Sequence, residues 1–84
     1  MRRRKLNVTL LETDLIFAYL NEKDQYHDAS TRIFNKIKKG SKASISTLSL
    51  VELELLYKSS GYQDQIQSHL AILSSLPNIE YSPL

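Results

Sequence analysis

Apolar positions are densest in Ser46-Thr47-Leu48-Ser49-Leu50-Val51-Glu52-Leu53-Glu54-Leu55-Leu56. At about 100° per residue, Leu48, Val51, Leu55 and Leu56 fall on one helical arc, with Glu52 inside it. Leu50 and Leu53 take the opposite side. The pattern therefore predicts a helix over residues 48–58 that is apolar nearly all round and buried. Glu54 sits at the edge as a surface or interface acid. A carboxylate facing a core is costly unless it is paired, neutralised or bound to a metal. What Glu52 faces is thus the question put to the rest of the chain.

Residues 6–11 alternate and include β-favouring types, which predicts a first strand ending near Glu12 or Thr13. The run Leu15–Leu20 follows Thr13-Asp14, a junction suited to the free amides of a helix start, so residues 14–21 are read as a short helix. Asn21-Glu22-Lys23-Asp24 is a polar turn, with Asp24 as the expected N-cap of the next helix. Tyr26, Ala29, Ile33, Phe34 and Ile37 recur at helical spacing and predict an amphipathic helix over 25–38. Lys36, Lys38 and Lys39 suit the negative end of its dipole, and Gly40 stops it. Lys42–Ser46 reads as a short buried strand. After the Glu52 helix and Ser59-Ser60-Gly61, a fourth helix is expected over 62–75, with Ile66, Leu70 and Leu73 on one face and Pro77 beyond its end. Residues 78–81 read as a third strand.

Composition narrows the chemistry. A chain of 84 residues without tryptophan allows one small domain with a thin core. The absence of cysteine excludes disulfides and thiolate metal sites, and two histidines argue against zinc. No apolar run approaches a membrane span, and the start is not a secretory signal, so the default expectation is a cytoplasmic protein away from membranes. Net charge is +2, with four of the eleven basic residues in Arg2-Arg3-Arg4-Lys5. Residues 1–5 are expected to be a disordered leader, and such a tail can also hold a phosphate backbone through counterion release. His27, His69, Tyr57 and Tyr62 are read as packing and loop-framing residues.

Strands separated by helix pairs imply parallel pairing, in the order β-α-α-β-α-α-β. Ligands of such sheets gather at the carboxyl ends of the strands. Strand one ends in Glu12-Thr13-Asp14, and strand two leads into the helix that carries Glu52. Three carboxylates can converge there. An oxygen-only set suits Mg²⁺ or Mn²⁺, which activate water and stabilise phosphoryl charge.

Two segments resemble the PIN domain, the fold of VapC-type toxin ribonucleases. Leu11-Glu12-Thr13-Asp14-Leu15-Ile16-Phe17-Ala18-Tyr19-Leu20 is similar to the family's opening motif, an acid and small polar residues followed by an apolar helix. Ser46-Thr47-Leu48-Ser49-Leu50-Val51-Glu52 is similar to its second motif, a hydroxyl-led turn into a helix with an acid. Asp24, His27 and Ala29 echo a weaker pattern between them. The resemblance covers residues 6–84 in element order.

It implies a three-layer α/β parallel-sheet fold and a divalent-metal-dependent endoribonuclease, the toxin half of a toxin–antitoxin pair. RNA would be the substrate, an antitoxin protein and a second copy the partners, and Mg²⁺ or Mn²⁺ the cofactor. Glu52 matches the second-motif acid. At the first motif, position favours Glu12 and residue type favours Asp14, so both stand as catalytic metal ligands, with Thr13 orienting an acid or a water. The resemblance stops after strand three, where the family continues with further helices, a strand and more Asp residues. The expectation is an incomplete domain, truncated at its C-terminus and weak or inactive as it stands. Two rival readings are a non-catalytic interaction or dimerisation module and a small nucleic-acid binder working through Arg2, Arg3, Arg4 and Lys5.

Overall fold

A computed structural model describes residues 8–83. Its elements run β1 (Val8–Leu10), α1 (Thr13–Leu20), α2 (His27–Lys38), β2 (Lys42–Ser46), α3 (Thr47–Ser59), a 3₁₀ turn (Gln63–Gln65), α4 (Ile66–Ser74) and β3 (Ile79–Ser82). The described residues form a small α/β domain with four helices and three parallel strands in the order β1-β2-β3. Val8 lies beside Lys42, and Ala43 beside Ile79. β2 is thus the inner strand, and it reads as one: Ala43 and Ile45 are buried while Lys42 is exposed.

The helices end where the chemistry of their termini dictates. Ser46 is the N-cap of α3, its hydroxyl accepting from the Ser49 amide at 3.1 Å. This is the ordinary service of a capping serine to an orphan N–H. α2 closes with Lys36 and Lys38 in its last turn, followed by Gly40 at φ 127°, a left-handed backbone that favours glycine. Asp24 does not cap α2. Its carboxylate accepts from the Tyr26 amide at 2.8 Å, closing a turn, and Tyr26 itself is the N-cap. Nor does the Thr13-Asp14 junction cap α1. Glu12 is the N-cap without a side-chain bond, and Thr13 is already helical.

The core joins Leu11, Ile16, Leu20, Phe34, Ile37, Ala43, Ile45, Leu53, Tyr57 and Leu73. Tyr19 stacks on Phe34 at 4.0 Å between centroids, locking α1 to α2, and Phe17 meets the Tyr57 ring edge-on at 5.4 Å, locking α1 to α3. On α2 the inward residues are Ser30, Phe34 and Ile37, while Tyr26 and Ala29, expected on that face, are exposed. The helix begins at His27, so its buried stripe starts one position after Ala29.

The largest departure concerns α3. The helix is not buried all round. Leu53 and Tyr57 are fully buried, whereas Leu48, Val51 and Leu55 are 54%, 49% and 59% exposed. The arc that holds Glu52 is the outward one, so Glu52 escapes the desolvation that a core carboxylate would suffer. An all-round apolar pattern carries no direction. The approach of β2 and α1 decides which side is covered.

Candidate functional site

β2 passes into α3 without a loop, since Ser46 ends the strand and Thr47 begins the helix. The start of α3 is tied on two sides. The Thr47 hydroxyl donates to the Ser82 carbonyl at the end of β3, at 2.9 Å. The Thr13 hydroxyl, at the start of α1, donates to the Glu52 carboxylate at 2.9 Å and lies 3.2 Å from the Ser49 carbonyl. One proton serves two acceptors, and the shorter, charge-assisted bond to Glu52 takes the larger share. The two segments singled out in the sequence therefore meet through a hydrogen bond at the carboxyl edge of the sheet.

An open cleft is formed there by Glu12, Thr13, Asp14, Ser49, Glu52, Leu55, Leu56 and Ser59. It is two-sided in character. One wall is acidic and the other is the leucine pair of α3. Glu12, Asp14 and Glu52 are all exposed at the residue level. Thr13 occupies one oxygen of Glu52 and leaves the other available to a cation or water. The donor type fits a hard divalent ion. The donor number does not: among the described residues, no three His, Cys, Asp or Glu side chains are grouped closely enough to hold a metal. Glu12, Asp14 and Glu52 thus share a cleft without forming a cage. An octahedral ion placed there would need most of its ligands from water or from groups elsewhere.

The other flagged residues lie apart from this cleft. His27 Nδ1 is 2.8 Å from the Ala18 carbonyl and Nε2 is 3.3 Å from the Thr31 hydroxyl, so its ring staples α2 to α1. Tyr57 is fully buried and cannot stack on a base. Its hydroxyl accepts from the Asn21 amide at 3.2 Å and sits 2.6 Å from His69 Nδ1. Burial pushes the Tyr57 phenol above its ordinary pKa, and the Asn21 bond opposes this in part. The meeting of Asn21, Tyr57 and His69 escaped the sequence reading. Their positions in the chain carry no spacing signal, and only the convergence of three helices brings them together. Ser49 and Ser59 were also missed as cleft residues. Arg2, Arg3, Arg4 and Lys5 lie outside the described residues.

Among the described residues, no helix is long and apolar enough to cross a membrane. No family model, curated protein or solved structure matches the chain.

Proposed function

We propose that the chain carries an incomplete acid cleft of a divalent-metal-dependent endoribonuclease of PIN, VapC-toxin type. The observation that supports this reading is the Thr13–Glu52 hydrogen bond, which joins the two motif segments at the carboxyl edge of a parallel sheet. Glu52, held in place by Thr13, would be the first ligand, with Asp14 and Glu12 on the same cleft reaching the ion through water, and RNA would be the substrate. The protein acts in the cytoplasm with an antitoxin as its regulator. A bound Mg²⁺ or Mn²⁺ would supply an activated water and charge stabilisation. The residues of this chain orient one carboxylate and form an open, acid-lined groove for the ion. With so few protein ligands, binding is weak and turnover slow.

The test uses Mn²⁺ and the full chain. Paramagnetic broadening is expected at the amides of Glu12, Thr13, Asp14 and Glu52, and it should vanish in Glu52→Gln. Cleavage of single-stranded RNA should require the metal and fail in the same variant. Broadening spread evenly over all surface acids would overturn the reading.

The exposed row Leu48, Val51 and Leu55 favours a second reading, a non-catalytic interaction module. It predicts unchanged partner binding and no cleavage in either protein.

A further inference from the structure

A second cleft shares no residue with the acid one. It lies between the end of α1, the turn that follows it and α4, and its walls include Phe17, Asn21, Tyr62 and His69. Its volume of about 770 Å³ falls within the roughly 300–1,000 Å³ of small-molecule sites. Two polar groups on its wall are fixed by what lies behind them. The Asn21 amide donates to the Phe17 carbonyl at 2.9 Å and to the Tyr57 hydroxyl at 3.2 Å. Both its hydrogens are thereby used. Among the described residues nothing donates to its Oδ1, which stays an open acceptor.

Tyr57 is fully buried and has one hydrogen to give. Because Asn21 donates to the phenol oxygen, that hydrogen goes to His69 Nδ1 at 2.6 Å. A hydrogen on Nδ1 instead would leave the phenol proton in the core without an acceptor among the described residues, a costly arrangement. Neutral His69 is therefore held with its hydrogen on Nε2. The two ring nitrogens point nearly opposite ways, so Nε2–H turns from the phenol toward the cleft. Acceptor and donor hang from the same phenol oxygen and serve the same part of the cleft. Tyr62 adds an aromatic surface, its ring stacked on Phe17 with planes 17° apart and 36% of the residue exposed.

We propose that this cleft binds a nucleobase, its edge on Asn21 and His69 and its face on Tyr62. A planar ring with an N–H beside an acceptor answers the pair. A trans peptide amide sets its N–H and C=O on opposite sides and cannot satisfy both. Stacking on an aromatic side chain with hydrogen bonds at the base edge is how unpaired bases are held. The rim carries Glu22 and Asp24 against one lysine, Lys23, so the base and not a phosphate supplies the recognition. The site uses none of Glu12, Thr13, Asp14 and Glu52, and stands whether or not the acid cleft takes a metal.

Uridine and an oligouridylate, titrated into the full chain under NMR, are expected to give saturable shifts at Asn21, Tyr62 and His69, unchanged in Glu52→Gln. Affinity per base that rises with the oligonucleotide assigns the site to RNA, and equal affinity assigns it to free nucleosides. 3-Methyluridine, which lacks the edge N–H, and N-methylacetamide, a trans amide, should each bind about tenfold more weakly. Tyr62→Leu should weaken uridine binding about tenfold, whereas Tyr62→Phe binds as the parent does, with urea midpoints checked for both. Before any ligand is added, nitrogen-15 shifts of His69 should show the Nε2–H tautomer. No saturable shift, or shifts at the acid cleft alone, overturns the proposal. So does 3-methyluridine or N-methylacetamide binding as well as uridine, or a His69 hydrogen found on Nδ1.

Discussion

Thr13 and Glu52, separated by 39 positions in sequence, are joined by a 2.9 Å hydrogen bond between the start of α1 and the second turn of α3. A hydrogen bond to a charged group is worth about 1.5–3 kcal/mol when well sheltered. This one is exposed, so its contribution lies below that range. Thr13→Val should cost about 1 kcal/mol in urea unfolding, and Thr13→Ser should recover most of the loss. If the bond orders the cleft, the valine variant also weakens Mn²⁺ binding beyond its effect on stability.

The direction of α3 can be tested with two leucines of one helix. Leu53 is fully buried and Leu55 is 59% exposed. Leu53→Ala should destabilise the fold by about 2–5 kcal/mol through lost burial and a cavity. Leu55→Ala should stay within about 0.5 kcal/mol of the parent. Chemical denaturation of the pair reads the facing of the helix without reference to function.

Alkaline pH should weaken the fold. Tyr57 and Tyr81 are both raised above the usual phenol value of 10.0 by burial. The folded chain then holds protons that the unfolded chain has released. Their contribution is complete below the unfolded value and is lost as pH rises through the folded one. Urea midpoints should therefore fall as pH is raised beyond 10.0, and less steeply in Tyr57→Phe. At neutral pH the same variant should cost about 1 kcal/mol, since Asn21 and His69 lose their shared hydroxyl.

Asn78 precedes β3 with φ 65°, and its side-chain amide donates to the Ile37 carbonyl at 2.8 Å. Asn78→Gly keeps the left-handed backbone and loses the bond. Asn78→Ala loses the bond and must also accept a strained backbone, at a further cost of about 1 kcal/mol. Thermal unfolding should rank the parent first, glycine second and alanine last.

The order of elements was legible because each has a local cause. β2 was read to the residue, Lys42–Ser46, since Gly40 closes the helix before it and Ala43 and Ile45 alternate with polar positions. Gly61 and Pro77 marked the ends of α3 and α4 in the same way. What sequence could not settle was direction. Leucines spread around α3 leave its covered side to be chosen by neighbours, and that choice put Glu52 on the outward arc. The gathering of Glu12, Asp14 and Glu52 in one cleft followed from their places after β1 and β2. The bond of Thr13 to Glu52 did not, because it depends on how α1 and α3 lean together.

α4 adds one fully buried side chain, Leu73, to the core, with Ile66 and Leu70 partly buried against it. Its polar anchors are His69 on the Tyr57 hydroxyl and the Leu73 carbonyl, which accepts from the Tyr81 hydroxyl. A segment held by so little should open well before the molecule unfolds as a whole, as a separate cooperative unit. Amide exchange in α4 should then run ahead of exchange in α1 and β2. The opening would expose the Tyr57 ring while leaving the Thr13–Glu52 edge closed, so the chain can lose one flank and keep the cleft.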